Sequence, residues 1–183
     1  MRKSFVELRA EIAAAFPDNT AGAITPAAMR TYLLDALNAI QPAYGTLARS
    51  AAAPIVANIT PPVKVTWQIA ADSDATQTTS NFSAGSIARA ERGTSAINFT
   101  TDFEASNGRF ITFTLFKDGV ATPWRITGNG AGAGNPVAVA LTAIDYADPA
   151  ATYDVRMTAE VAATTVTISD SAMILEIVPV NTF

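Results

Sequence analysis

Histidine and cysteine are both absent from this 183-residue chain. Without cysteine no disulfide contributes to stability, and the redox compartment cannot be read. Without histidine the commonest general base and the commonest neutral metal ligand are lost together. Charge is also scarce. Asp, Glu, Lys and Arg make up 15% of the residues, against about 25% in ordinary soluble domains. A surface this poor in charge points to extensive contact with other protein. The net charge of −4 is mild and nothing basic is concentrated, so no nucleic-acid partner is expected. No run of about 18 uncharged apolar residues occurs, so no membrane-spanning helix is expected. The opening "MRKSFVELRAEIAAAF" starts positive, but Glu7, Arg9 and Glu11 interrupt its apolar stretch. It is not read as a signal peptide.

What is present is apolar. Hydrophobic residues make up 49% of the chain, which excludes a disordered polymer, and the length suits one domain or one domain with a small appendage. The front reads as helix. Ser4 and Glu7 have capping-box spacing, and Phe5, Leu8, Ile12 and Phe16 fall on one helical face. Pro17 stops that helix, and Asp18, Asn19 and Gly22 supply a turn. Thr25 and Pro26 then suit the cap and first position of a second helix, striped by Met29, Leu33, Leu37 and Ile40. Such a pair has too small a core to stand alone and must dock on its own domain or on a partner.

Residues 46–62 carry one charge, Arg49, and three prolines. They are expected to form an extended arm. From Val63 the hydrophobic period becomes two, as in "VKVTWQI", "SAINFTT" and "TYDVRMTAEV". "GRFITFTLFKDG" reads as apolar on both faces and ends in a Lys-Asp-Gly turn. "VATPWRIT", "VAVALTAI", "TTVTIS" and "AMILEIVPV" follow. The segment 72–95 is polar and reads as a long loop with a short strand near Ile87. About eight short strands without helical period define an antiparallel β-sandwich of the jelly-roll kind. The expected organisation is therefore a helical hairpin at 1–45, an arm at 46–62 and a β-sandwich at 63–183. Strands apolar on both faces, and a stretch 119–144 whose one charge is Arg125, call for cover by neighbouring subunits.

"FPDNTAGAITPAAMRTYLLDAL" resembles an N-terminal motif of tailed-bacteriophage structural proteins. "RFITFTLFKDGVATPWRIT" is similar in style to the central strands of the compact jelly rolls, of the tumour-necrosis-factor and C1q type, that trimerise in such proteins. The resemblance implies a non-enzymatic virion protein, assembled in the host cytoplasm. It would be a capsid decoration or head-fibre protein, forming a homotrimer and binding the major capsid protein or other virion proteins. The anchor would comprise Phe16, Pro17, Asp18, Asn19, Ile24, Met29, Arg30, Leu33 and Leu37. The alternative is a tail-fibre or receptor-binding module that recognises a host surface glycan or protein.

Candidate chemistry is sparse. Asp72 and Asp74 offer two oxygen ligands where a calcium cage needs six to eight, and a solvated loop explains them. Asp145 and Asp148 fit a turn before Pro149. Asp102, Glu104 and Glu160 are the carboxylates available for glycoside hydrolysis, but no aromatic platform accompanies them. The glycine run at 128–134 lacks the Lys-Ser/Thr ending of a phosphate loop and reads as a flexible loop. The sequons at Asn58, Asn81 and Asn98 mean little without a secretory signal. No metal, no cofactor and no catalytic residue are expected.

Overall fold

The computed structural model describes residues 10–12, 14, 26–40, 43–50, 53–75, 77–90, 92–132 and 134–177. The chain divides into two compact units, Met1–Pro42 with Pro179–Phe183, and Ala43–Val178. In the first, residues 10–12 and 14 are helical, and α1 spans Pro26–Ile40. Pro26 opens α1, where a missing N–H costs nothing.

The second unit holds β1 (Ala43–Ser50), β2 (Ile55–Ala57), β3 (Val63–Lys64), β4 (Ile69–Asp72), β5 (Thr78–Asn81), β6 (Ser86–Arg89) and β7 (Gly93–Ala105). After a 3-10 turn at Ser106–Gly108 come β8 (Phe110–Lys117), β9 (Val120–Asn129), β10 (Val137–Ala147), β11 (Thr152–Ala159) and β12 (Thr164–Ile177). One sheet, here the front sheet, runs β10-β7-β12-β1-β4, with β2 added beside β12. The back sheet runs β5-β6-β11-β8-β9, with β3 added beside β11. The chain passes repeatedly from sheet to sheet, and every pairing is antiparallel. This is the expected mainly β, antiparallel jelly-roll sandwich.

The alternation read from the sequence fills its core. Tyr153, Val155 and Met157 point inward from β11, Ile111, Phe113 and Leu115 from β8, and Ile97, Phe99 and Phe103 from β7. Phe113 of the back sheet meets Phe99 and Phe103 of the front sheet at ring-centroid distances of 5.3 and 5.1 Å. Such tilted and edge-on contacts are the favoured aromatic geometries. At the β8–β9 hairpin, Asp118 and Gly119 have φ of 50° and 79°. Two left-handed residues form the tight turn whose twist matches the flanking strands, as Asp-Gly predicts.

Several expectations are corrected. Residues 46–62 do not form an arm outside the sandwich. β1 lies inside the front sheet between β12 and β4, and β2 pairs with β12. The strand was hidden because its inward positions are Ala43, Gly45, Leu47 and Arg49, two of which do not read as core. Gly45 is required there, since a Cβ would lie 2.7 Å from Ser80 Oγ and 2.8 Å from Ile87 Cγ2. The sandwich therefore begins at Ala43 rather than at residue 63. The segment 72–95 contains the strand expected near Ile87, which is β6, and also β5 and the start of β7, which were not expected; buried Thr78 and Arg89 stand at inward positions where an apolar residue was sought. The last two expected strands are one, β12, whose register shifts between Ile168 and Asp170. Gly128 and Asn129 belong to β9 rather than to a flexible loop.

Candidate functional site

The two outer faces of the sandwich differ sharply. On the back sheet the outward residues of β8 are Phe110, Thr112, Thr114 and Phe116, so this strand is not apolar on both faces as expected. Its one buried outward aromatic, Phe116, is capped by the Arg156 guanidinium at 4.1 Å from the ring centroid. Arg156 Nε donates to Asp154 Oδ1 at 2.7 Å, and Lys64 Nζ lies 3.2 Å from Asp154 Oδ2. The hydrogen bond to Asp154 holds the Arg156 pKa above its ordinary value. Phe116 is thus covered by long, paired side chains of its own sheet, whereas Phe110 on the same face is 48% exposed.

The front sheet has no such cover. Strand register places Ala140, Thr100, Ala172, Ala48 and Ile69 in one row across its outer face. The next row is Thr142, Asn98, Ile174, Thr46 and Ala71, and the third is Ile144, Ala96, Glu176 and Tyr44. Glu176 is the one charged side chain in these rows. Ile144 is 65% exposed, Ile69 57%, Tyr44 48% and Ile174 39%. Charge returns where Asp102 and Asp170 are register partners. Small side chains between exposed isoleucines make a flat surface on which another backbone can approach closely. Exposed Ile144, Ile69, Tyr44 and Ile174 among small and uncharged polar side chains make this face the candidate interaction surface.

Inside the sandwich, one polar cluster links the sheets. Tyr153 OH donates to Asp145 Oδ2 at 2.6 Å, and Lys117 Nζ lies 2.8 Å from the same oxygen. Burial, and secondarily Asp145, push the Tyr153 hydroxyl pKa well above its ordinary value. The neutral phenol donates its proton to this hydrogen bond with Asp145. Asp145 was read as a turn residue. Its inward position on β10, in line with Ala143 and Ala147, was the available signal. Arg49 is buried, with no carboxylate partner among the described residues. It donates to Thr66 O at 3.0 Å, to Thr66 Oγ1 and to Ala53 O at 2.6 Å, and burial lowers its pKa.

The expected anchor residues lie in the first unit. Met29, Arg30 and Leu33 are exposed on α1, together with Leu34. Leu37 is also on α1, but its side chain is outside the described residues, as are Phe16, Pro17, Asp18, Asn19 and Ile24. Among the carboxylates, Asp72 accepts from Ser80 N through both oxygens at 3.1 Å and from Ser80 Oγ at 2.7 Å, tying β4 to β5. Asp102 and Glu104 are on β7, whereas Glu160 follows β11 in the other sheet, 3.7 Å from Arg109 Nη1. The structure does not gather these three into one cleft. Among the described residues no group of three or more His, Cys, Asp or Glu has the arrangement of a metal site. No described helix is long and apolar enough to cross a membrane.

Strand order and buried core define the class, a jelly-roll β-sandwich with a bare front face. No protein-family model matches the chain, and no curated protein is similar to it in sequence. Among solved structures, the chain is similar to the globular domain of zebrafish complement 1qA protein. That match has 14% identity and a TM-score of 0.48, and covers 75% of this chain and 97% of that one.

Proposed function

We propose that this is a non-enzymatic virion structural protein of the capsid decoration or head-fibre type. It assembles as a homotrimer through the outer face of its front sheet, and its N-terminal helical unit attaches it to the major capsid protein or another virion protein. The observation that carries the assembly is the three rows on the outer face of the front sheet, in which Glu176 is the one charge, beside the Arg156–Asp154–Lys64 pairing on the back sheet. Burial of apolar surface contributes about 25 cal/mol per Å², and a repeated contact gains further from multivalency. The three-fold stoichiometry and the virion setting are supported by the resemblance of residues 16–37 and of the central strands to phage structural proteins. Met29, Leu33 and Leu34, exposed on α1, are suited to meet a partner.

The test uses purified particles that lack the native protein, to which the intact chain is added. Wild type should bind in many copies per particle, and Leu33→Asp should lose binding while the sandwich keeps its melting temperature. Undiminished binding of the Leu33→Asp protein would remove the helical unit from the attachment. A copy number of only a few per particle would favour the tail-fibre alternative.

A further inference from the structure

A cavity of about 360 Å³ opens where the β8–β9 turn meets the β10–β11 connection. This volume lies in the range of small-molecule sites. Lys117, Asp118, Tyr146 and Asp148 line it, and Pro149, Ala150 and Ala151 complete the wall. From these residues we infer that the cavity binds a neutral saccharide.

The polar groups are held in place and still have bonding capacity to spare. Asp118 Oδ1 accepts from Thr152 N at 2.8 Å and from Thr152 Oγ1 at 3.2 Å. Asp148 Oδ1 accepts from Arg92 Nε at 2.8 Å and lies 2.7 Å from Arg92 Nη2. Among the described residues each carboxylate is thus engaged through Oδ1 alone, which leaves Oδ2 as an acceptor. Lys117 Nζ is occupied by Asp145 Oδ2 at 2.8 Å and Tyr146 O at 3.4 Å. An ammonium has three protons, so one remains. Tyr146 is the one aromatic among the lining residues and is 61% exposed.

Charge selects the ligand class. Lys117 is balanced by Asp145 and Arg92 by Asp148, so Asp118 leaves the site with a negative excess. An anion is repelled, and a small organic cation, which this charge would attract but which cannot accept from Lys117, is the competitor that the tetramethylammonium control tests. A purely apolar ligand would leave the second oxygen of each carboxylate and one ammonium proton unused. A metal ion lacks its ligand set. A sugar hydroxyl both accepts and donates, and so satisfies spare acceptors and a spare donor together. The apolar wall and Tyr146 suit the C–H face of a pyranose ring. One chain builds the whole cavity, so this inference stands apart from the assembly reading.

The test is a titration of the ¹⁵N-labelled intact chain, followed by amide shifts. The probes are glucose, galactose, mannose and N-acetylglucosamine, with inorganic phosphate and tetramethylammonium as controls. At least one sugar should produce saturable shifts confined to residues 117–120 and 146–152. Asp148→Asn keeps an oxygen for Arg92 but removes the second carboxylate oxygen. It should weaken binding about tenfold or more, the effect of losing a hydrogen bond to a charged group. Tyr146→Ala, at an exposed position, should weaken it as well. No saturable shift with any of the four sugars up to about 100 mM, where any affinity is negligible, would overturn the inference. Shifts that persist unchanged in both variants would do the same, as would tighter binding of phosphate or tetramethylammonium at these residues. Failure here leaves the oligomeric state, measured separately, as it was.

Discussion

Ile144→Asp should dissociate the protein without unfolding it. Ile144 is the most exposed of the three isoleucines on the front face, at 65%, and it sits on β10 at the edge of the sheet. Full burial of such a side chain contributes about 1.5–3 kcal/mol. Two-thirds of it remains to be buried on association, which gives about 1–2 kcal/mol per copy. Three copies contribute about 3–6 kcal/mol, or roughly 10²- to 10⁴-fold in the trimer association constant. The carboxylate adds a desolvation cost in the same direction. In the isolated sandwich the position faces water, so the change should stay near 0.5 kcal/mol, with up to about 1 kcal/mol from strand propensity. Sedimentation equilibrium across a concentration series reads the association constant, and thermal melting reads the fold. Thr127→Asp, on the outer face of the back sheet, is the control and should leave association unchanged. If Ile144→Asp sediments like wild type, or if Thr127→Asp dissociates the protein equally, the front face is not the interface.

Three further outcomes follow from the structure. A chain beginning at Ala43 should fold, because the buried hydrophobic cluster runs from Ala43 to Leu175. One beginning at Pro61 should aggregate or melt far lower by circular dichroism, because it lacks β1 and β2. Arg156→Ala removes one of the two partners of Asp154 and the cover of Phe116. Chemical denaturation should show a loss of about 2 kcal/mol, and full stability would mean that Lys64 suffices for Asp154. Tyr153→Phe should cost about 1.5–3 kcal/mol at neutral pH, the range for a hydrogen bond to a charged group. The Tyr153 pKa is raised in the folded state, so its contribution is complete below the unfolded value near 10 and is lost as pH rises toward the folded value. Wild type should therefore lose stability above about pH 10 more steeply than Tyr153→Phe, and parallel alkaline curves would contradict that assignment.

Much of the sandwich was legible because its inward residues are large and alternate with polar ones. Ile97, Phe99, Phe113, Val155 and Met157 are all core residues, and Asp118-Gly119 forms the hairpin turn. β1 was missed because its inward positions are filled by Gly45, packed against neighbouring side chains, and Arg49, satisfied by carbonyls and a hydroxyl. The strand at 78–81 was missed because Thr78 points inward, whereas the strand expected near Ile87 is β6. The bulge in β12 shifts the phase at Asp170, which split one strand into two. Of the two stretches expected to need cover, 119–144 includes the β10 residues Ala140, Thr142 and Ile144 on the bare face, whereas β8 is not part of it. Side-chain composition cannot tell which apolar strand is covered, because Arg156 reaches Phe116 only through a strand pairing separated by 40 residues of sequence. The polar cavity was invisible for the same reason, since Asp118 and Asp148 meet it from different hairpins.

The most direct measurement is the mass of the intact chain in solution, by light scattering over a range of micromolar concentrations. A bare front face that drives three-fold assembly predicts three times 19.1 kDa. A mass of 19.1 kDa that does not change with concentration would contradict it.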